Sequence, residues 1–99
     1  MNNIVLDTNI ILYAAVYNNE IALELIQENN IFISDITEVE LLGYHRLSKE
    51  EYEILKELIS TLNVVSISNE IKQKAIDIRR KYALKTPDAI IVSTAVKFG

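Results

Sequence analysis

A chain of 99 residues, 49% of them apolar, has material for one small packed domain and not for two. The absence of cysteine excludes disulfides, thiolate zinc sites and cysteine nucleophiles, and it fits a reducing compartment. A net charge of −4 argues against broad non-specific binding to nucleic acid, yet an acidic metal site would contribute carboxylates to that figure, so a nuclease is not excluded.

In chain order, Ile4-Val5-Leu6 reads as a strand ended by the polar cluster Asp7-Thr8-Asn9. Ile10, Ile11, Ala14 and Tyr17 recur at helical spacing until Asn18-Asn19 interrupts them. A second helix carries Ile21, Ala22, Leu25 and Ile26 on one face, and Asn29-Asn30 marks a turn before a second strand, Ile31-Phe32-Ile33. Thr37-Glu38-Val39-Glu40 has the form of a capping box and predicts a helix through about Tyr44. Ser48-Lys49-Glu50-Glu51 repeats the signature and opens a longer helix with Tyr52, Leu55, Leu58, Ile59 and Leu62 inward. Val64 to Ile67 is the third strand, and Asn69 is placed to cap a helix striped by Ile71, Ala75, Ile78 and Tyr82. Thr86-Pro87 then reads as an N-cap followed by proline at the first helical position, starting a last helix with Ala89, Ile90, Val92, Ser93 and Val96.

The amino terminus does not read as a secretory leader, because Met1-Asn2-Asn3 has no basic side chain and Asp7 breaks the apolar run. The longest uncharged stretch, Thr8 to Asn19, falls far short of the roughly 20 apolar residues of a membrane span. A cytoplasmic protein without a membrane partner is expected. Apolar strands alternating with helices imply an α/β fold with a parallel sheet covered on both faces. Right-handed crossovers put the strand ends that carry ligand sites on one edge.

Three acids belong to that edge: Asp7 directly after strand one, Glu40 in the first turn after strand two, and Asp88 at the start of the last helix. Each also has a purely structural reading. Asp7 can cap a helix, Glu40 can complete a capping box, and Asp88 can complement a helix dipole. Taken together, they suit a divalent cation that binds phosphate oxygens and activates water for phosphodiester hydrolysis.

Ile4-Val5-Leu6-Asp7-Thr8-Asn9 resembles the opening motif of PIN domains, and Thr37-Glu38-Val39-Glu40-Leu41 resembles their second. Pro87-Asp88-Ala89-Ile90-Ile91-Val92-Ser93-Thr94-Ala95 is similar to the third and is the most specific of them. Order and spacing agree over nearly the whole chain, with the VapC-type toxins of prokaryotic toxin–antitoxin pairs the nearest resemblance. The resemblance implies a PIN-like three-layer α/β fold, with a short parallel sheet of three strands flanked by helices. It implies a Mg2+- or Mn2+-dependent endoribonuclease with Asp7, Glu40 and Asp88 as metal ligands. Thr8 and Asn9 would be supporting groups that orient Asp7 or a bound water. The implied partners are an RNA substrate, an antitoxin protein and a second copy in a homodimer or higher oligomer.

PIN domains usually continue past Val96-Lys97-Phe98-Gly99 into a further strand and a polar turn with a fourth acid. The expectation is therefore a single PIN-like domain over residues 1–99 lacking the usual C-terminal strand or strands, with strand one left as a sheet edge. With three acids rather than four, the alternative is a catalytically impaired PIN-like module that binds RNA or protein. A haloacid dehalogenase-like phosphatase is set aside because it needs Asp-x-Asp after strand one, where this chain has Asp7-Thr8-Asn9.

Arg79, Arg80, Lys81 and Lys85 form the basic cluster. For Arg79 and Arg80 the reading is structural, as cations complementing a helix C-terminus, whereas Lys85, beside the expected cleft, is balanced between that and RNA phosphate binding. His45 and Arg46 are further candidates for RNA contact, with a surface or capping role the default for His45. Tyr13, Tyr17 and the Ile21–Ile26 helix are expected in the core, or else in a groove for a dimer mate or an antitoxin segment.

Overall fold

Residues 2–98 are described by the computed structural model; Met1 and Gly99, on which the expectations about leader and truncation partly fall, lie outside them. The elements run β1 (Asn3–Val5), α1 (Thr8–Ala15), α2 (Glu20–Glu28), β2 (Asn30–Ser34), α3 (Asp35–Leu42), α4 (Lys49–Ser60), β3 (Asn63–Val65), α5 (Asn69–Tyr82) and α6 (Thr86–Phe98). β1 and β3 each pair in parallel with β2, giving the order β1-β2-β3 and placing all three strand exits on one edge.

Alternation along β2 sorts its side chains between two layers. Ile31 and Ile33 face a core made with Leu6, Ile11, Ala15, Leu41, Leu55 and Ile59, drawn from β1's exit, α1, α3 and α4. Phe32 points the other way and stacks on Phe98 of α6, with ring centres 5.3 Å apart. α6 packs against β1 and β2, and α5 packs on α6. This is the three-layer α/β fold with a short parallel sheet that the sequence predicts.

A row of amides crosses the sheet at the edge where the strands begin. Asn30 Nδ2 donates to Asn3 Oδ1 (2.9 Å), and Asn63 Nδ2 donates to Asn30 Oδ1 (3.0 Å) and to the Ile31 carbonyl (2.9 Å). Among the described residues no helix is long and apolar enough to cross a membrane.

Several boundaries differ from the sequence reading, each for a local reason. α3 begins at Asp35 rather than near Thr37, because Ser34 is the N-cap and its hydroxyl accepts from the Ile36 amide (3.2 Å). Thr37 is therefore inside the first turn. Its hydroxyl is buried without a partner, and the side chain of Glu40 goes elsewhere. At Ser48 the expected capping box forms in full, with Ser48 Oγ accepting from the Glu51 amide and Glu51 accepting from the Ser48 amide. Ser68, not Asn69, caps α5. α6 starts one residue early, since the Lys85 carbonyl already accepts from the Ala89 amide. β3 stops at Val65, leaving Ile67 outside the sheet.

Tyr17 (66% exposed) and Ile21 (79% exposed) are not core residues, in contrast to the default reading of that segment. The turn at Asn18, with φ of 51°, carries the chain from α1 to α2 and leaves both side chains outside.

Candidate active site

Asp7 and Asp88 sit at helix starts, whereas Glu40, expected in a first turn, is the sixth of the eight residues of α3, because that helix already begins at Asp35. β1 exits through Leu6 into Asp7, the N-cap of α1, whose Oδ1 accepts from the Ile10 amide (3.2 Å). A carboxylate at this position satisfies an otherwise unpaired amide and meets the positive end of the helix dipole. β2 exits through buried Ser34 into α3, which carries Glu40 on an exposed face. Asp88 lies in the first turn of α6, exposed, with Ala89 beside it fully buried and anchoring the helix.

One bond joins the start of α1 to the last turn of α3. Thr8 Oγ1, in the first turn of α1, donates to Glu40 Oε1 at 2.8 Å across 32 positions of sequence. A charge-assisted O–H···O contact of this length is among the stronger kinds. It holds Glu40 next to the residue that follows Asp7. Thr8 thus acts on Glu40 rather than on Asp7. Asn9 is exposed and has no side-chain hydrogen bond among the described residues. Nor, among these residues, does any hydrogen bond tie Asp88 to Asp7 or Glu40.

The donor set is all oxygen, as a hard divalent cation requires. Among the described residues, however, no group of three or more His, Cys, Asp or Glu side chains is arranged to hold a metal ion. The three acids therefore do not form a ready-made cage. What is built is a linked set, Asp7, Thr8 and Glu40, with Asp88 on the neighbouring helix. Magnesium typically takes one or two protein carboxylates and completes its shell with water and substrate phosphate oxygens, and the linked set fits that kind of occupancy.

The other candidates are surface residues, and no hydrogen bond or ion pair ties them to this set among the described residues. Lys85 is exposed, and its carbonyl starts α6. His45 and Arg46 are exposed after α3, with the His45 ring edge-on to Tyr44 at 5.3 Å. Arg79 closes the end of α5: its Nε donates to the Leu84 carbonyl (3.0 Å), bracing the left-handed turn at Ala83. Ser34 was not singled out from sequence, although it sets where α3 begins and hence where Glu40 points. Its signal was the Ser-Asp step directly after an apolar strand.

The family model for the PIN domain matches residues 4–99. No curated protein matches the sequence. Among solved structures, the chain is similar to a toxin–antitoxin complex from Klebsiella pneumoniae, at 29% identity and a TM-score of 0.78, covering 94% of this chain and 78% of that one. It is also similar to VapBC2 from Rickettsia felis, solved with a DNA fragment from the pair's promoter, at 22% identity and a TM-score of 0.80, covering 97% of this chain and 81% of that one. A parallel sheet whose exits lead into acid-bearing helices, matched by the family model over nearly its whole length, makes this chain a member of the PIN-domain family with a VapC-like fold.

Proposed function

We propose that this protein is a Mg2+- or Mn2+-dependent endoribonuclease of the PIN class and the toxin of a toxin–antitoxin pair, working in the cytoplasm. The observation that carries the reading is the Thr8–Glu40 hydrogen bond, which draws a second acid-bearing helix to Asp7. Family membership and the likeness to a toxin–antitoxin complex support it. In this reading Asp7, Glu40 and Asp88 hold the cation, and RNA phosphate completes the coordination. The cation, when bound, lowers the pKa of water and offsets charge on the phosphate. Thr8 fixes the rotamer of Glu40, so that its second oxygen stays directed at the site. Asn9 hydrogen-bonds solvent or substrate at the mouth. Lys85, His45 and Arg46 receive phosphates of the flanking RNA. The exposed Tyr13, Tyr17 and Ile21 surface receives a second copy or an antitoxin segment.

The test is cleavage of a labelled RNA by the purified chain with Mn2+ or Mg2+, with and without chelator. Asp7→Asn keeps an oxygen acceptor for the Ile10 amide, so it should abolish cleavage with little change in thermal midpoint. One observation favours a second reading. The lack of a three-acid group among the described residues fits a PIN-like module that binds RNA or protein without turnover. RNA binding by a folded protein that cleaves nothing at any Mn2+ concentration would select that reading.

A further inference from the structure

α5 and α6 lie against each other and enclose an open groove of about 270 Å³ on the outer face of the molecule. Its floor is aliphatic: Ile67, Ala75, Ile76 and Ile90. Two of these are exposed well beyond the usual level for isoleucine, Ile67 at 40% and Ile76 at 45%. Its rim is cationic, with Lys72, Arg79 and Arg80. In a chain of net charge −4 this is a local reversal of sign. None of the three cations forms a salt bridge among the described residues, where Lys97–Glu70 is the ion pair present. The hydrogen bond from Arg79 Nε to Leu84 fixes one guanidinium at the groove's end and leaves its other N–H groups free to receive a carboxylate.

We infer that this groove is a docking site for an acidic amphipathic helix of another protein. Aliphatic side chains at i and i+3 or i+4 would enter between Ile67, Ile76 and Ile90, and Glu or Asp on the helix flanks would meet Lys72, Arg79 and Arg80. The floor chemistry argues against single-stranded RNA. Bases are held on aromatic platforms, and this floor has none. A second copy of this chain is also a poor fit. Its acidic helices α2, α3 and α4 each expose a single large aliphatic residue, Ile21, Val39 and Ile54, where a helix-in-groove contact needs two or more in register, and α6, which exposes Val92 and Val96 four positions apart, has Asp88 as its one acid. The inference does not rest on nuclease activity, and its test measures none.

The probe is a fluorescein-labelled synthetic helix of about 15 residues, long enough to populate the helical form, with Leu at i, i+4 and i+7 and Glu on the flanks. Anisotropy is read against the full chain at low and high salt. Binding is expected, weakened by salt and weakened about tenfold or more by Ile76→Asp or by Arg80→Glu. Ile76→Ser serves as a milder variant, and circular dichroism confirms that each variant folds. The inference is overturned if the peptide fails to bind up to about 1 mM, or if a scrambled peptide of the same composition binds equally. Binding unaffected by Ile76→Asp overturns it too. So does a single-stranded RNA whose affinity Ile76→Asp lowers, or sedimentation showing that Ile76→Asp changes self-association.

Discussion

Thr37→Val should make this protein more stable. Thr37 is fully buried in the first turn of α3, and its Oγ1 has no hydrogen-bond partner. A hydroxyl transferred from water to such a position costs about 1–3 kcal/mol by mutational measures. Valine keeps the β-branch and the rotamer preference while replacing the hydroxyl with a methyl of similar size, so most of that cost should be recovered as a gain of about 1–2 kcal/mol. In a domain of this size each kcal/mol moves the thermal midpoint by about 4–8 °C, so a rise of roughly 5–15 °C is expected. Urea unfolding should show a higher midpoint at unchanged slope. Thr37→Ser, which keeps the orphan hydroxyl and loses the methyl, should be less stable than wild type. A Thr37→Val protein that melts lower than wild type would refute the reasoning, because it would mean that the hydroxyl has a stabilising partner in solution. The Thr8–Glu40 bond lies on the exposed face of α3, so any RNA cleavage should survive Thr37→Val.

Leu55 is fully buried at the centre of the core, so Leu55→Ala should cost about 2–5 kcal/mol, seen as a large fall in the urea midpoint. Ala83 adopts φ of 54° to end α5; Ala83→Gly relieves that strain and should raise stability by about 0.5–1 kcal/mol in the same assay. Thr8→Val removes the donor to Glu40. It should lower apparent Mn2+ affinity or cleavage by about 10-fold or more, and Thr8→Ser should restore most of the loss. Equal behaviour of the valine and serine variants would show that Thr8 does not position Glu40.

The alternation of apolar strand and striped helix was enough to read the layers, because the two periods of 2 and 3.6 are local properties of the chain. The boundaries were less legible where two local signals competed. Thr37-x-x-Glu40 matches a capping box as well as Ser48-x-x-Glu51 does, yet only the second forms. The difference is tertiary: Thr8, 32 residues away, takes the Glu40 carboxylate, and Ser34 supplies the cap. Burial of the α1–α2 connection was misread for a similar reason. Tyr17 and Ile21 are apolar by composition, but the left-handed turn at Asn18 leaves them outside the core, and no pattern in the segment announces that. Of the candidate site, the residue types and the helix-start positions of Asp7 and Asp88 were legible, but the place of Glu40 in α3 was not, because Ser34 starts that helix two residues before Thr37. The link from Thr8 to Glu40 was not legible either, since it depends on the spacing of two helices that the sheet sets.

That spacing traces back to the asparagine row. Strands of three residues offer few ladder bonds with which to choose between neighbouring alignments. A slip of one residue would move a strand's exit by about 3.3 Å, more than a hydrogen bond can follow, and would turn its inward side chains outward. In the observed alignment Asn30 bonds to both Asn3 and Asn63, which a slipped strand would carry out of reach. Three uncharged amides at one rim of the sheet therefore gauge the separation of charged groups at the opposite rim. Selection on the spacing of Asp7, Thr8 and Glu40 would thus act on residues at the far rim of the sheet.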